Sequence, residues 1–112
     1  MAKFLIRDGY SRSAVVPAVP GLHPELRARY RPALLVQRKE YLLPVPTPKD
    51  AAARDAALIE RHVESWNVTD DDDKTAPVKK DVALLLQPAL VQQLVDLILG
   101  YAAGQEEADA KN

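Results

Sequence analysis

Three arginines, Arg27, Arg29 and Arg31, alternate with apolar residues in the segment 25–31. Side chains two residues apart share one side of an extended chain, so the pattern predicts a half-buried β-strand with an arginine face. Guanidinium groups bind carboxylates and phosphates, which makes this strip, about 14 Å long by the rise of a strand, a candidate docking site. A second interpretation stays open, in which the arginines are a solvent face paired with nearby carboxylates.

The charge distribution favours a protein over nucleic acid as the partner of this strip. The chain carries a net charge of −1, but residues 1–43 hold a net +5, residues 44–75 a net −4 and residues 76–112 a net −2. Such polarity favours head-to-tail self-association, giving a homo-oligomer, or an acidic partner for the N-terminal part. No aromatic side chain shares the arginine face, which argues against binding single strands by base stacking.

No group of residues in the sequence is typical of an active site or a metal site. The chain has no cysteine, and its two histidines, His23 and His62, lack zinc-ligand spacing. The serines lack a nucleophile elbow, the four glycines are isolated, and the Asp70–Asp73 run lacks the glycine and closing glutamate of an EF-hand. We therefore expect no catalytic residue, no metal and no cofactor, and we expect that the protein is not an enzyme.

The N-terminal part is predicted to form a small antiparallel sheet. Asp8-Gly9 is a strong turn pair between the apolar segments 4–6 and 14–16, which predicts a hairpin. Three prolines in the segment 17–24 exclude a helix there. The arginine strand would then complete the sheet.

Helices are predicted to follow. Residues 33–43 come after Pro32 and place Leu34, Leu35, Tyr41 and Leu42 on one face. A linker with three prolines precedes a helix over residues 49–65, with Thr47 as its N-terminal cap. Its apolar stripe consists of Ala52, Ala56, Ile59, Val63 and Trp66.

The C-terminal third is predicted to contain a solvated acidic loop at 70–74 and a short helix near Val82, Leu85 and Leu86. A final helix then ends at Gly100 and carries Leu90, Leu94, Leu97, Ile98 and Tyr101 on one face. We predict seven core anchors from these stripes: Trp66, Ile59, Val63, Leu90, Leu94, Leu97 and Ile98.

These elements together predict one α+β domain over residues 1–101, in which the small sheet packs against three to four helices. Residues 102–112 are predicted to be a disordered tail. The longest apolar stretch is interrupted by Asp96 and falls short of the ~20 residues of a membrane helix, so we expect no membrane contact and a cytoplasmic location.

Several motifs resemble a pattern found in small proteins of tailed phages and prophages. They are residues 8–12 (DGYSR), 21–24 (GLHP), 30–32 (YRP), 63–68 (VESWNV) and 96–100 (DLILG). The order of a helix, a tryptophan strand, an acidic turn and two short helices is similar to that of the tail-assembly chaperones of long-tailed phages. The resemblance covers most of residues 8–100 and contains no catalytic signature.

The resemblance implies a small α+β protein, encoded near the tape-measure protein, that binds the tape-measure or tail-tube protein while the tail tube forms in the bacterial host. We therefore expect a morphogenesis protein that acts by protein–protein contact through Arg27, Arg29 and Arg31. Two alternatives stay open at this point: a head–tail connector subunit that remains in the particle, and a small nucleic-acid-binding regulator that uses the same arginines.

Overall fold

The computed structural model describes residues 4–6 and 10–101 of the chain. In chain order, the elements within this part are β1 (Arg12–Val16), β2 (Leu26–Tyr30), α1 (Leu35–Tyr41), α2 (Pro48–His62), β3 (Val63–Trp66), α3 (Lys80–Ala83) and α4 (Pro88–Leu99). The architecture is α+β, as the sequence predicts.

The three strands form one antiparallel sheet in the order β1-β2-β3, with the arginine strand β2 in the centre. Ala28 pairs with Ala14 on one side and with Trp66 on the other. Burial alternates strictly along β2, so Leu26, Ala28 and Tyr30 face the core. This confirms the period-two interpretation of the segment, which rests on the geometry of extended chains.

The predicted N-terminal hairpin is wrong in its pairing. Residues 4–6 do not belong to a strand, and the partner of β1 is β2. The connection between them is a proline-rich loop that reverses through a backbone bridge between Val19 and His23, with Gly21 at a φ of 78°. A positive φ suits glycine because it lacks a Cβ. The Asp8-Gly9 turn lies outside the described residues, as does the predicted tail.

The sheet also receives a strand that the apolar periodicity placed in a helix, although the family resemblance includes a tryptophan strand at this point. The helix predicted to extend to residue 65 ends at His62, and the next four residues form β3. Val63 is already extended, with φ −80° and ψ 124°. β-Branched and aromatic residues favour strands, and one extra residue in β3, opposite the step from Arg29 to Tyr30, lets both Val63 and Trp66 face the core.

Helix α2 begins as predicted. The Thr47 hydroxyl accepts a hydrogen bond from the Asp50 backbone N–H (3.1 Å), and Pro48 occupies the first turn. Ala52 of the predicted stripe is exposed, because the first turns of α2 extend beyond the core. The buried residues of α2 are Ala56, Leu58, Ile59 and His62.

Helix α4 supplies the largest share of the core. It buries Leu90, Leu94, Val95, Leu97, Ile98 and Leu99. Gly100 ends it in the left-handed conformation (φ 88°), as the sequence predicts. Tyr101 was predicted on the buried face but is 54% exposed, because the chain turns away at Gly100. All seven predicted core anchors are buried.

Helix α1 differs most from its prediction. It begins at Leu35 instead of residue 33, because the extended backbone before it pairs with α4 through an Ala33 N–H bond to the Ile98 carbonyl (2.8 Å). No residue of α1 is buried, and its predicted apolar face is divided: Leu34 and Tyr41 are half-buried, whereas Leu35 and Leu42 are exposed. None of the helices in the described part of the chain is both long enough and apolar enough to cross a membrane.

The acidic segment forms an exposed, compact turn. The Asp70 N–H donates to the Lys74 carbonyl (2.8 Å), and the Asp70 carboxylate accepts from the backbone N–H groups of Asp72 and Lys74. A bridge between Thr69 and Thr75 closes the turn. The loop prediction is confirmed, although Asp70 has a structural role that charge patterning alone does not reveal.

Candidate protein-docking surfaces

The outer face of the sheet carries two of the three predicted arginines. The side chains of Arg27 and Arg29 are 62% and 54% exposed. A shallow concavity opens between them, lined also by Ser13, Ser65 and Asn67. Ala14, Val15, Ala28 and Trp66 also contribute to the lining, and the polar groups that it offers are suited to hydrogen bonding and charge pairing.

Both arginines already have carboxylate partners within the chain. The Arg27 Nε donates to Glu25 Oε2 at 2.8 Å, and the Arg29 Nε lies 3.5 Å from Glu64 Oε1. Arg29 also donates to the Ser13 hydroxyl at 3.2 Å. Exposed ion pairs of this kind contribute at most about 1 kcal/mol, so a partner can displace them at low cost.

Arg31 does not continue the exposed strip. It lies beyond the end of β2, it is half-buried, and its guanidinium donates to the Arg61 carbonyl at the end of α2. Its backbone N–H donates to the His62 carbonyl at 2.8 Å. Arg31 therefore joins the end of β2 to the α2–β3 junction, and the docking strip contains two exposed guanidinium groups instead of three.

His62 is buried at the same junction. Its Nδ1 donates to the Arg31 carbonyl at 2.7 Å, while Nε2 is buried and has no hydrogen-bond partner among the described residues. Burial lowers the pKa of His62 below its usual value, the hydrogen bond to Arg31 opposes this, and the charges of Arg61 and Arg31 lower the pKa further. The neutral imidazole is thus the form that fits the fold.

A second surface is the outward side of α1, which we call the α1 face: Leu35, Val36, Lys39, Leu42 and Leu43. The helical period places the first four on one side, and Leu43 follows directly. Leu35 is 73% exposed and Leu43 62%. Four large aliphatic side chains around one lysine form an apolar patch with a positive centre, which is typical of an interaction surface.

The inward side of α1 is held by polar contacts. The Arg38 guanidinium lies 4.3 Å from the centre of the Tyr101 ring and donates to its hydroxyl. The Tyr41 hydroxyl donates to the Asp55 carboxylate, and the Arg54 guanidinium lies over the Tyr41 ring. Burial first, and then the Asp55 contact, raises the pKa of Tyr41 to about 12.

A third surface is a groove of about 490 Å³ between the loop before β2, the acidic turn and α3. Leu26 and Leu90 form its buried floor, and Leu22 and Leu85 stand exposed at its sides. We call it the acid-edged groove because three carboxylates, those of Glu25, Asp70 and Asp71, lie along it. His23 also lines it, with Nδ1 bonded to the Pro24 carbonyl.

Within residues 4–6 and 10–101, no cluster of histidine and carboxylate side chains is arranged to hold a metal ion. No protein family, no curated protein and no solved structure matches this chain.

The sequence analysis predicted the first surface in part and missed the other two. It identified the strand that presents Arg27 and Arg29, but it gave no sign that an apolar face of α1 is exposed. The signal that distinguishes α1 was present in the sequence. Lys39 interrupts the apolar stripe, whereas the corresponding stripe of α4 contains no charged residue.

Proposed function

We propose that this chain is a non-enzymatic morphogenesis protein of a tailed phage or prophage, a tail-assembly chaperone that acts by binding the tape-measure or tail-tube protein. The proposal takes its class from the motif resemblance described above. The observation that carries it is the outer face of the sheet, where Arg27 and Arg29 are exposed and held by weak surface ion pairs and, for Arg29, one hydrogen bond to Ser13.

Protein–protein contact suits this surface better than nucleic-acid binding does. Two exposed guanidinium groups, each beside a carboxylate, contribute little to phosphate binding, which grows with the number of phosphates neutralised. A carboxylate from a protein partner can instead replace Glu25 or Glu64 at the same guanidinium group. Charge pairing of this kind orients a partner and accelerates its binding.

The test is co-purification with a tape-measure protein, which the resemblance implies is encoded nearby. We expect the complex to form and the double variant Arg27→Ser/Arg29→Ser to weaken it by about 3- to 30-fold, the range of two surface ion pairs. The matched control is Lys79→Ser/Lys80→Ser, which removes the same charge from exposed residues outside the sheet face. The control should bind like the unaltered chain.

Two further measurements separate the alternatives. A chaperone is expected to be missing from purified particles, whereas a head–tail connector subunit would be retained in them. A nucleic-acid-binding regulator would bind DNA with an affinity that falls steeply with salt concentration. Equal tape-measure binding by the arginine variant and the lysine control would contradict the role of the sheet face.

A further inference from the structure

The chain carries two apolar surfaces of opposite charge that do not touch each other. The α1 face presents four aliphatic side chains around Lys39, and none of them is covered within the described part of the chain. The acid-edged groove presents leucines beside Glu25, Asp70 and Asp71. Leaving both surfaces in water is unfavourable, because exposed apolar area costs free energy that docking would recover.

The two surfaces are complementary in curvature as well as in charge. One is the convex side of a helix, and the other is a concave groove with an apolar floor. An amphipathic helix in an apolar groove is a common mode of peptide recognition. The lysine at the centre of the α1 face can form ion pairs with the carboxylates along the groove. Opposite charges fix the orientation of such a contact.

The α1 face and the acid-edged groove lie near opposite ends of α4. The connection into α1 pairs with Ile98 near the C-terminal end of α4, whereas the groove contains Gln87 and Leu90 at its N-terminal end. Leu90 and Ile98 are about 12 Å apart along the helix axis. One α1-in-groove contact between two chains therefore leaves the α1 face of the second chain and the groove of the first chain unoccupied.

We propose that the α1 face of one copy of this protein binds the acid-edged groove of a second copy, giving head-to-tail assembly. In head-to-tail assembly each chain uses its two surfaces on two different neighbours, so the assembly continues beyond a dimer and closes into a ring or extends as a filament, whereas a reciprocal two-fold dimer would stop at two chains and overturn this arrangement. Both patches are small, which places the interaction among weak, concentration-dependent contacts. The proposal does not depend on the proposed function, because both binding partners are surfaces of this chain.

The test measures assembly by sedimentation velocity from about 1 µM to about 500 µM, the range of weak association. The unaltered chain should pass from monomer to species larger than a dimer. Leu35→Ser/Val36→Ser removes the α1 face, and Leu22→Ser/Leu85→Ser removes the groove sides. Each variant should weaken association by at least about tenfold. The matched control Leu84→Ser changes an exposed leucine that does not line the groove and should assemble normally.

Mixing the two double variants tests whether the α1 face of one chain binds the groove of the other. The first retains a groove and the second retains an α1 face, so an equimolar mixture should form one-to-one pairs and nothing larger. A monomeric unaltered chain at the highest concentration, a double variant that assembles like the unaltered chain, or a mixture that stays monomeric would each overturn the proposal. A monomeric chain would leave both surfaces for other proteins.

A charge-reversal pair covers the case in which a double variant fails to fold. Lys39 and Asp71 are exposed, so Lys39→Glu and Asp71→Lys should leave the fold unchanged. Each variant alone should associate about 2- to 5-fold more weakly, as expected for one surface ion pair. Their equimolar mixture should recover the lost affinity, because every contact between unlike chains again joins opposite charges. Mixing without recovery would contradict the proposed contact.

Discussion

Helices α4 and α1 both carry an apolar stripe, but the stripe of α4 faces the core and the stripe of α1 faces solvent. In α4, six apolar residues are buried against the sheet and α2, and Leu94 is completely covered. In α1 no residue is buried, and the side that meets the rest of the molecule is held by Arg38 and Tyr41. One helix is held by apolar burial and the other by charge-assisted hydrogen bonds and ring contacts.

The difference shows that an apolar stripe defines a face of a helix without defining what covers it. Helix α1 follows an extended segment that is fixed to α4 at Ala33, and it ends before a linker with three prolines. Both connections restrict how the helix can rotate, and the core already contains the six buried residues of α4. The apolar residues of α1 therefore remain on the outside.

The largest expected effect is the difference in stability loss between a truncation in the α4 stripe and one in the α1 stripe. Leu94→Ala should lower the free energy of unfolding by about 2–5 kcal/mol, because it leaves a cavity in a filled core. Leu35→Ala should change it by less than about 0.5 kcal/mol, because Leu35 is 73% exposed. Urea unfolding at a concentration where the chain is monomeric measures both. Equal losses at the two positions would show that α1 is part of the core.

A smaller effect tests the polar attachment of α1. Tyr41→Phe removes the hydroxyl that donates to Asp55 and should cost about 1 kcal/mol. The pKa of Tyr41 is raised to about 12, above its usual value near 10, so the folded state favours the protonated phenol. Its contribution is therefore complete below about pH 10 and is lost as the pH rises through about 12.

The alkaline loss of stability should be smaller in Tyr41→Phe than in the unaltered chain. Tyr101→Phe is the control, because it removes a phenol at the other polar contact of α1 while leaving Tyr41 in place. Urea unfolding at a series of pH values between about 8 and 11 makes the comparison. A parallel decline in the unaltered chain and in Tyr41→Phe would mean that Tyr41 does not hold α1.

The same contrast explains which elements could be predicted from the sequence. The alternation in β2 and the stripe of α4 are periodic patterns whose buried side is continuous, and both were predicted correctly. The end of α2 was not predicted correctly. The spacing of Ile59, Val63 and Trp66 fits one continuous helix as well as it fits a helix that ends and is followed by a strand. The pairing of β3 with β2, a contact distant in sequence, decides between them.

The candidate surfaces could be predicted only where local pattern determines exposure. The strand period indicated that Arg27 and Arg29 are exposed, but it gave no sign that Arg31 turns toward the end of α2. The acid-edged groove joins residues 22–26 to residues 85–90, which no local pattern relates. Surfaces of this kind depend on tertiary packing, so they become visible only in the structure.

A third test concerns the buried junction beneath the arginine strand. The pKa of His62 is lowered, mainly by burial, so its protonation favours the unfolded chain. The stability associated with neutral His62 is therefore present above the usual histidine pKa near 6.5 and is lost as the pH falls through the lower value in the folded state. His62→Gln should reduce the loss of stability on acidification, as measured by thermal unfolding between about pH 7 and about pH 5.

His23→Gln is the matched control for this measurement. His23 is also buried but lies at the groove, away from the α2–β3 junction. We expect the acid sensitivity of the His23 variant to match that of the unaltered chain. An acid response that persists in His62→Gln would place the titrating group elsewhere, and the junction would then not couple folding to protonation.

The smallest expected effect is in the acidic turn, which belongs to neither apolar stripe. Asp71→Ser and Asp72→Ser should each change the free energy of unfolding by less than about 0.5 kcal/mol, because exposed carboxylates gain little from folding. Asp73 has a φ of 60°, so Asp73→Gly should leave the melting temperature unchanged or slightly higher. Asp70→Ala should instead cost about 1 kcal/mol, since its carboxylate holds two backbone N–H groups. Thermal unfolding of the four variants measures these differences. If Asp71→Ser were as destabilising as Asp70→Ala, the turn would depend on its total charge and not on the Asp70 side chain that closes it.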